Sequence, residues 1–177
     1  MVVGQLFKKT ILIVPARKNS KGIEGKNKYI INGFPLIYYT LKFIIESKLI
    51  QNTIISTDSE EIMKIANDYG FKKNKLRPSS LSSDNSSIID VILYELKKYN
   101  YKKFENILLL QPTAPLRKIQ HLIDINEIYN NNIDLNSIVS LVKLEEPHPY
   151  KIKKILDNKI KSFLNNKKSE VSRQILP

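Results

Sequence analysis

The chain has 177 residues, no cysteine, 42% hydrophobic and 26% charged residues, and a formal net charge of +12. That is room for one domain with a substantial core, and it excludes disulfides, thiolate nucleophiles and thiolate metal sites. The charge would ordinarily raise nucleic acid as a partner, but 25 of the 29 cations are lysines spread from Lys8 to Lys168 beside abundant Ile and Asn, a pattern of AT-rich coding that argues against a nucleic-acid site.

The lack of cysteine favours a cytoplasmic setting. The longest apolar window, Leu36 to Ile45, is broken by Lys42 and falls far short of the ~20 residues that span a bilayer, and the first ten residues lack the apolar region of a signal peptide. The four arginines, Arg17, Arg77, Arg117 and Arg173, all fall in expected loops or helix starts. There a rigid guanidinium fork suits phosphate or carboxylate in a way lysine cannot reproduce.

In chain order, the unbroken apolar run Ile11 to Val14 predicts a strand buried on both faces of a parallel sheet and ended by Pro15. Arg17, Lys18, Lys21, Lys26 and Lys28 then surround Ser20, Gly22 and Gly25. A flexible cationic loop at the carboxyl end of a strand is where open α/β sheets bind ligands. Glycines that turn backbone N–H groups toward an anion make it a phosphate-binding loop, with a plain solvated basic loop as the alternative.

Tyr29 to Ile31 and Asn32-Gly33 read as a short extended piece and a turn. Pro35 starts a helix that runs to about Ser47. Asn52 to Ser56 is the second strand. Asp58 and Glu61 have the spacing of a capping box for a helix that Gly70 ends.

A short strand is expected near Phe71, followed by a serine-rich loop from Leu76 to Ser87 whose hydroxyls and Asp84 supply turn and cap chemistry. Ile88, Ile89, Ile92, Leu93 and Leu96 form the expected inner face of the next helix. Asn106 to Leu110 is a strand, Gln111 to Arg117 a proline-punctuated loop, Ile119 to Tyr129 a helix and Ser137 to Lys143 a further buried strand. The alternation centred on Asp157-Asn158 predicts a β-hairpin. Strand and helix alternating at least four times predicts an α/β fold, a mostly parallel sheet between helices, with its polar groups in the loops Arg17 to Asn27, Thr57 to Ser59 and Gln111 to Arg117 and the Arg77 loop nearby.

Neither G-x-G-x-x-G nor Walker A is present, so dinucleotide binding and P-loop chemistry have no support. His121 and His148 stand alone, which leaves no histidine metal cluster. Asp58 and Asp84 are the loop carboxylates before residue 120, and Asp58 is more simply a helix cap.

The ordered series PARKNSKGIEGKN, STDSEEI, LRPSSLSSD, LLQPTAPLR, HPYK and RQILP resembles the acylneuraminate cytidylyltransferases, or CMP-sialic acid synthetases, over nearly the whole chain. The resemblance implies a Rossmann-like nucleotide-binding fold of the nucleotide-diphospho-sugar transferase type. It also implies attack by the anomeric hydroxyl of an acidic nine-carbon sugar on the α-phosphorus of CTP, with pyrophosphate leaving and magnesium assisting. By position it assigns Arg17, Ser20, Lys21 and Lys26 to the triphosphate, Asn27 to the nucleotide, and Arg77 and Ser86 to the cytidine. Gln111 would meet the sugar, and Lys151 and Arg173 an acidic group, across a homodimer interface that begins with a hairpin excursion at about residue 144. Arg17, Lys26 and Arg173 are the implied catalytic groups.

The chain departs from the pattern at Ile88, where many relatives carry a nucleotide-contacting hydroxyl. It also stops at Pro177, before an Asp-x-Asp pair that holds magnesium in the family, so it offers no metal ligands and is expected to bind CTP with little turnover. The expected reaction makes a CMP-activated sialic, legionaminic or pseudaminic acid. A CMP-Kdo synthetase-like activity, or a CTP-binding module without turnover, is the alternative.

Overall fold

A computed structural model describes residues 5–20, 22–72, 74–83, 86–99, 104–132, 134–142, 152 and 153–164. The chain divides into two compact units, Met1–Leu135 and Asn136–Pro177.

The first unit is built on a three-stranded parallel sheet. Its central strand, β1 (Thr10–Pro15), follows a short helix α1 (Gln5–Lys8) and lies between β4 (Thr53–Ser56) and β5 (Asn106–Leu109). The registers pair Leu12 with Thr53 on one side and Thr10 with Asn106 on the other. Two-sided burial is why this strand is apolar without alternation: Leu12, Ile13 and Val14 have no exposed surface. Phe7, Leu12, Ile37, Leu41, Ile44, Ile55, Ile62 and Leu122 fill the core around it.

Asn32 (φ 48°) and Gly33 (φ 83°) both take the left-handed backbone that turns β2 (Ile30–Ile31) into β3 (Phe34–Pro35). Pro35 then stands at the N-terminal boundary of α2 (Leu36–Glu46), whose inner face is Leu36, Ile37, Thr40, Leu41, Phe43 and Ile44. This helix ends without glycine. Lys48 adopts φ 59°, its N–H donates to the Ile45 carbonyl, and the Leu49 N–H donates to that of Ile44, which is the doubly bonded Schellman ending.

Helix α3 (Glu60–Asp68) is capped by Ser59, whose Oγ accepts from the Ile62 N–H. The capping box expected of Asp58 and Glu61 does not form, because both carboxylates are used elsewhere. The helix ends at Gly70 (φ 95°), with bonds from the Gly70 and Phe71 N–H groups to the Asn67 and Ala66 carbonyls. That ending explains why the strand expected near Phe71 is absent. The Phe71 amide closes the helix and its ring, 2% exposed, plugs the core.

Helix α4 (Ile88–Lys98) starts at Ser87, whose Oγ accepts from the Ile89 N–H, as its cap. Its expected inner face is corrected: Ile89 and Leu93 are 62% and 50% exposed, and the residues it buries are Val91 and Glu95. Helix α5 (Ile119–Asn131) begins where the His121 Nδ1 accepts from the Lys118 N–H, which gives this lone histidine an end-of-helix role.

In the second unit, residues 137–142 form no strand and Val139, Leu141 and Val142 are exposed, against the expectation of a buried strand there. An apolar run becomes a strand only when another strand takes its hydrogen bonds, and none of the described residues does. The hairpin is as expected: β6 (Lys153–Leu156) and β7 (Lys159–Ser162) pair antiparallel around Asp157 and Asn158, both left-handed at φ 53° and 55°.

Candidate functional site

A cleft of about 470 Å³ opens at the carboxyl end of the parallel sheet, where β1, β4 and β5 hand the chain to loops. The first loop begins where the Ala16 N–H donates to the Ser56 carbonyl, one step beyond the sheet. It is held at three points. The Lys18 N–H donates to Asp58 Oδ1 at 2.8 Å, the Asn27 Nδ2 donates to the Arg17 carbonyl at 2.9 Å, and Lys28 pairs with Glu61. Gly25, at φ 59°, leads into the 3-10 turn Lys26–Lys28, and Asn27 is buried beneath the loop. These contacts hold the two ends of the loop, and Arg17, Ser20, Gly22 and Lys26 line the cleft.

The second wall comes from the loop after α3. The Arg77 N–H donates to the Thr57 carbonyl at 2.8 Å, so this loop leaves from beside β4. Arg77 is 6% exposed as a residue yet lines the cleft. Its Nε donates to Ser82 Oγ at 2.9 Å and its Nη1 to Ser56 Oγ at 3.4 Å. Burial pulls the Arg77 pKa down, and Asp58 and Glu95 oppose that pull. Ser86 shares a hydrogen bond with Ser83 and donates to the Ser80 carbonyl, and the Arg17 Nη1 donates across to the Ser83 carbonyl at 3.3 Å. The two loops are therefore stitched together by an arginine that also faces the cleft.

The third wall is the turn after β5, which presents Gln111, Pro112 and Thr113. Arg117 anchors it from behind, donating to the Gln111 carbonyl at 2.5 Å and to Thr40 Oγ1 on α2 at 3.3 Å. Burial lowers its pKa as well.

Of the residues singled out from the sequence, Arg17, Ser20, Lys26, Asn27, Arg77, Ser86 and Gln111 meet in this one cleft, and Ile88 lines it too. Lys21, Asp84, His148, Lys151 and Arg173 lie outside the described residues. The Thr57 to Ser59 loop contributes no lining side chain among the described residues. Its Asp58 is a brace for the basic loop rather than a helix cap. Sequence reasoning missed Asp58 in that role, and it missed Glu95 altogether. The only signal for the latter was an acid at helical spacing from Val91.

Among the described residues no carboxylate lines the cleft and no group of three His, Asp or Glu side chains could hold a metal. Magnesium prefers carboxylate oxygens, so these residues do not fit a magnesium site. What they offer is a cationic, hydroxyl-rich, water-accessible pocket suited to a polyanion.

Comparison with known proteins agrees with that chemistry. In fold, the chain is similar to a solved CMP:2-keto-3-deoxy-manno-octonic acid synthetase complexed with CTP, with a TM-score of 0.55 and 18% identity over 72% of this chain and 49% of that one. In sequence it is 34% identical to the N-acylneuraminate cytidylyltransferase of Escherichia coli O18:K1:H7 over 78% of this chain and 32% of the relative. It is 34% identical to the CMP-N,N'-diacetyllegionaminic acid synthase of Legionella pneumophila over 74% of this chain and 59% of the relative. The chain thus spans between about a third and three fifths of the length of these relatives. The cytidylyltransferase family pattern matches residues 11–171, nearly the full sequence and every wall of the cleft. The chain belongs to the cytidylyltransferase family.

Proposed function

We propose that the cleft binds CTP and that the protein activates a nonulosonic acid, of the sialic, legionaminic or pseudaminic type, to its CMP-sugar with release of pyrophosphate. The observation that carries this reading is the convergence on one cleft of Arg17, Ser20 and Lys26 from one loop, Arg77 and Ser86 from a second and Gln111 from a third. Family membership supplies the nucleotide and the named relatives supply the class of sugar.

In this reading Arg17 and Lys26 lie along the triphosphate and stabilise the charge that grows on the departing pyrophosphate. Arg77, Ser86 and Asn27 hold the nucleoside, and Gln111 orients the sugar so that its anomeric hydroxyl meets the α-phosphorus. A divalent ion in the reaction would draw its ligands from outside the described residues. A homodimer and a cytoplasmic setting belong to the same reading, and light scattering of the purified protein tests the first.

Calorimetric titration with CTP, UTP, ATP and GTP, followed by a pyrophosphate assay with each nonulosonic acid, tests the proposal. CTP is expected to bind at least about tenfold more tightly than the other three, a difference of ~1.4 kcal/mol. Equal binding of all four nucleotides would overturn it.

A further inference from the structure

Glu95 has no exposed surface, although it is a carboxylate on the one face of α4 that also supplies Val91 to the cleft wall. A buried carboxylate is costly unless its oxygens are engaged. Its neighbours are specific. Oε1 accepts from Ser56 Oγ at 2.7 Å, and the Ser56 oxygen in turn accepts from Arg77 Nη1 at 3.4 Å. Oε2 has no hydrogen-bond partner among the described residues and lies 3.7 Å from Lys98 Nζ. Lys98 is itself occupied at 2.8 Å by the Lys75 carbonyl and sits over the rings of Tyr94 and Tyr99. The shortest contact of Glu95 therefore runs toward Arg77, through Ser56, and not to the lysine one turn away.

Arg77 is the end of this relay that reaches the cleft. Its Nε is fixed by Ser82 and its Nη1 by Ser56, so the plane of the guanidinium is set by two hydroxyls. A serine hydroxyl has a single proton. With Glu95 accepting that proton, the Ser56 lone pairs turn to Arg77, whereas without an acceptor the hydroxyl is free to rotate.

We propose that Glu95 is a positioning residue for nucleotide recognition, a buried acceptor that orients Ser56 and through it fixes the Arg77 guanidinium against the cleft. The inference rests on the CTP reading for its functional consequence, while the positioning itself is independent of any ligand.

Two measurements separate those parts. The first needs no ligand: the Arg77 Nε–H resonance in the NMR spectrum of the full chain, assigned by its disappearance in Arg77→Lys. It is expected to shift and exchange faster in Glu95→Leu and Ser56→Ala, and to stay at its wild-type position in Glu95→Gln, whose amide oxygen can still accept. An unchanged resonance in Glu95→Leu with the chain still folded would overturn the proposal. If that variant does not fold, Ser56→Ala decides the matter in the same way.

The second is calorimetry with CTP and with inorganic triphosphate. Glu95→Leu is expected to weaken CTP by about tenfold and to leave triphosphate unchanged, and to have no further effect once Arg77 is lysine. Equal losses for both ligands, or additive effects with Arg77→Lys, would count against a role through Arg77. Failure of the wild-type chain to bind CTP would instead defeat the proposed function, with the resonance still deciding the positioning.

Discussion

At the scale of single residues, the cleft separates groups that line it from groups that hold them in place. Lys26 and Arg17 bring positive charge to a lining that contains no carboxylate among the described residues. In the proposed reaction the charge they face grows as pyrophosphate leaves, so their contribution is larger in the transition state than in the bound complex. Lys26→Ala is accordingly expected to slow pyrophosphate release in single turnover by about a hundredfold while CTP affinity falls much less. A loss confined to affinity would contradict it.

Glu95 gives a second prediction. Burial raises its pKa, against the opposing effects of the Ser56 hydrogen bond and the Lys98 and Arg77 charges. A carboxyl whose folded pKa lies above its unfolded one binds its proton more firmly in the native state. Its contribution to stability is therefore full below the ordinary glutamate range and is lost as pH rises through the raised value. Melting temperatures taken across that interval should fall less steeply with pH in Glu95→Gln than in the wild type, and parallel curves would show that Glu95 does not titrate there. That Arg17, Lys26 and Gln111 face the cleft was legible in the sequence, because they stand in the loops that follow β1 and β5 at the carboxyl end of the sheet. Asp58 and Glu95 were not, because the Lys18 amide and the Ser56 hydroxyl that define their roles lie 40 and 39 residues away in the chain.

At the scale of elements, the endings decide more than the interiors. Helices α2 and α3 close with the same pair of backbone bonds, one through Lys48 at φ 59° and the other through Gly70 at φ 95°. Lysine in the left-handed region carries a steric cost that glycine lacks. Lys48→Gly is thus expected to stabilise the protein by about 0.5–1 kcal/mol in urea denaturation, the gain being limited by glycine's greater freedom when unfolded. Removal of the α3 cap in Ser59→Ala should cost about 1 kcal/mol. No change from either substitution would mean that these ends fray in solution.

The same backbone accounting explains which elements the sequence showed. β1 was readable because core side chains pack on both its faces and leave Leu12, Ile13 and Val14 without exposed surface, and the Asp157-Asn158 hairpin because its turn residues accept a left-handed backbone. Phe71 and residues 137–142 have equally apolar patterns. Yet a pattern reports burial or the demand for it, and only a partner's hydrogen bonds make a strand. The misjudged face of α4 has a related cause: hydrophobic periodicity assigns Glu95 to solvent, and the fold buries it because Ser56 is there to donate.

At the scale of the whole molecule, the excess of cations and the cleft make different demands on a polyanion. A duplex of DNA gains affinity mainly by exchanging counterions for lysines spread over a broad surface, and that affinity falls steeply as salt rises. The net charge of +12 suffices for such binding at low salt. Several cations are already paired, Lys9 with Glu105, Lys28 with Glu61 and Lys42 with Glu46, and those that line the cleft among the described residues are Arg17, Lys26 and the buried Arg77. A concave site of about 470 Å³ is of small-molecule size and cannot admit a duplex. Within it, charge is screened less than on the open surface, since buried and partly buried groups are shielded from mobile ions.

The two modes should therefore separate on a salt titration. Between roughly 50 and 200 mM salt, duplex DNA binding is expected to collapse by as much as about a thousandfold, whereas calorimetric affinity for CTP should change far less. Arg17→Ala should weaken CTP and leave the residual DNA binding at low salt almost intact, because one charge in a dispersed set counts for little. Tight, sequence-selective DNA binding that survives physiological salt and is lost with Arg17 would reverse the assignment, placing the duplex rather than the nucleotide at the carboxyl end of the sheet.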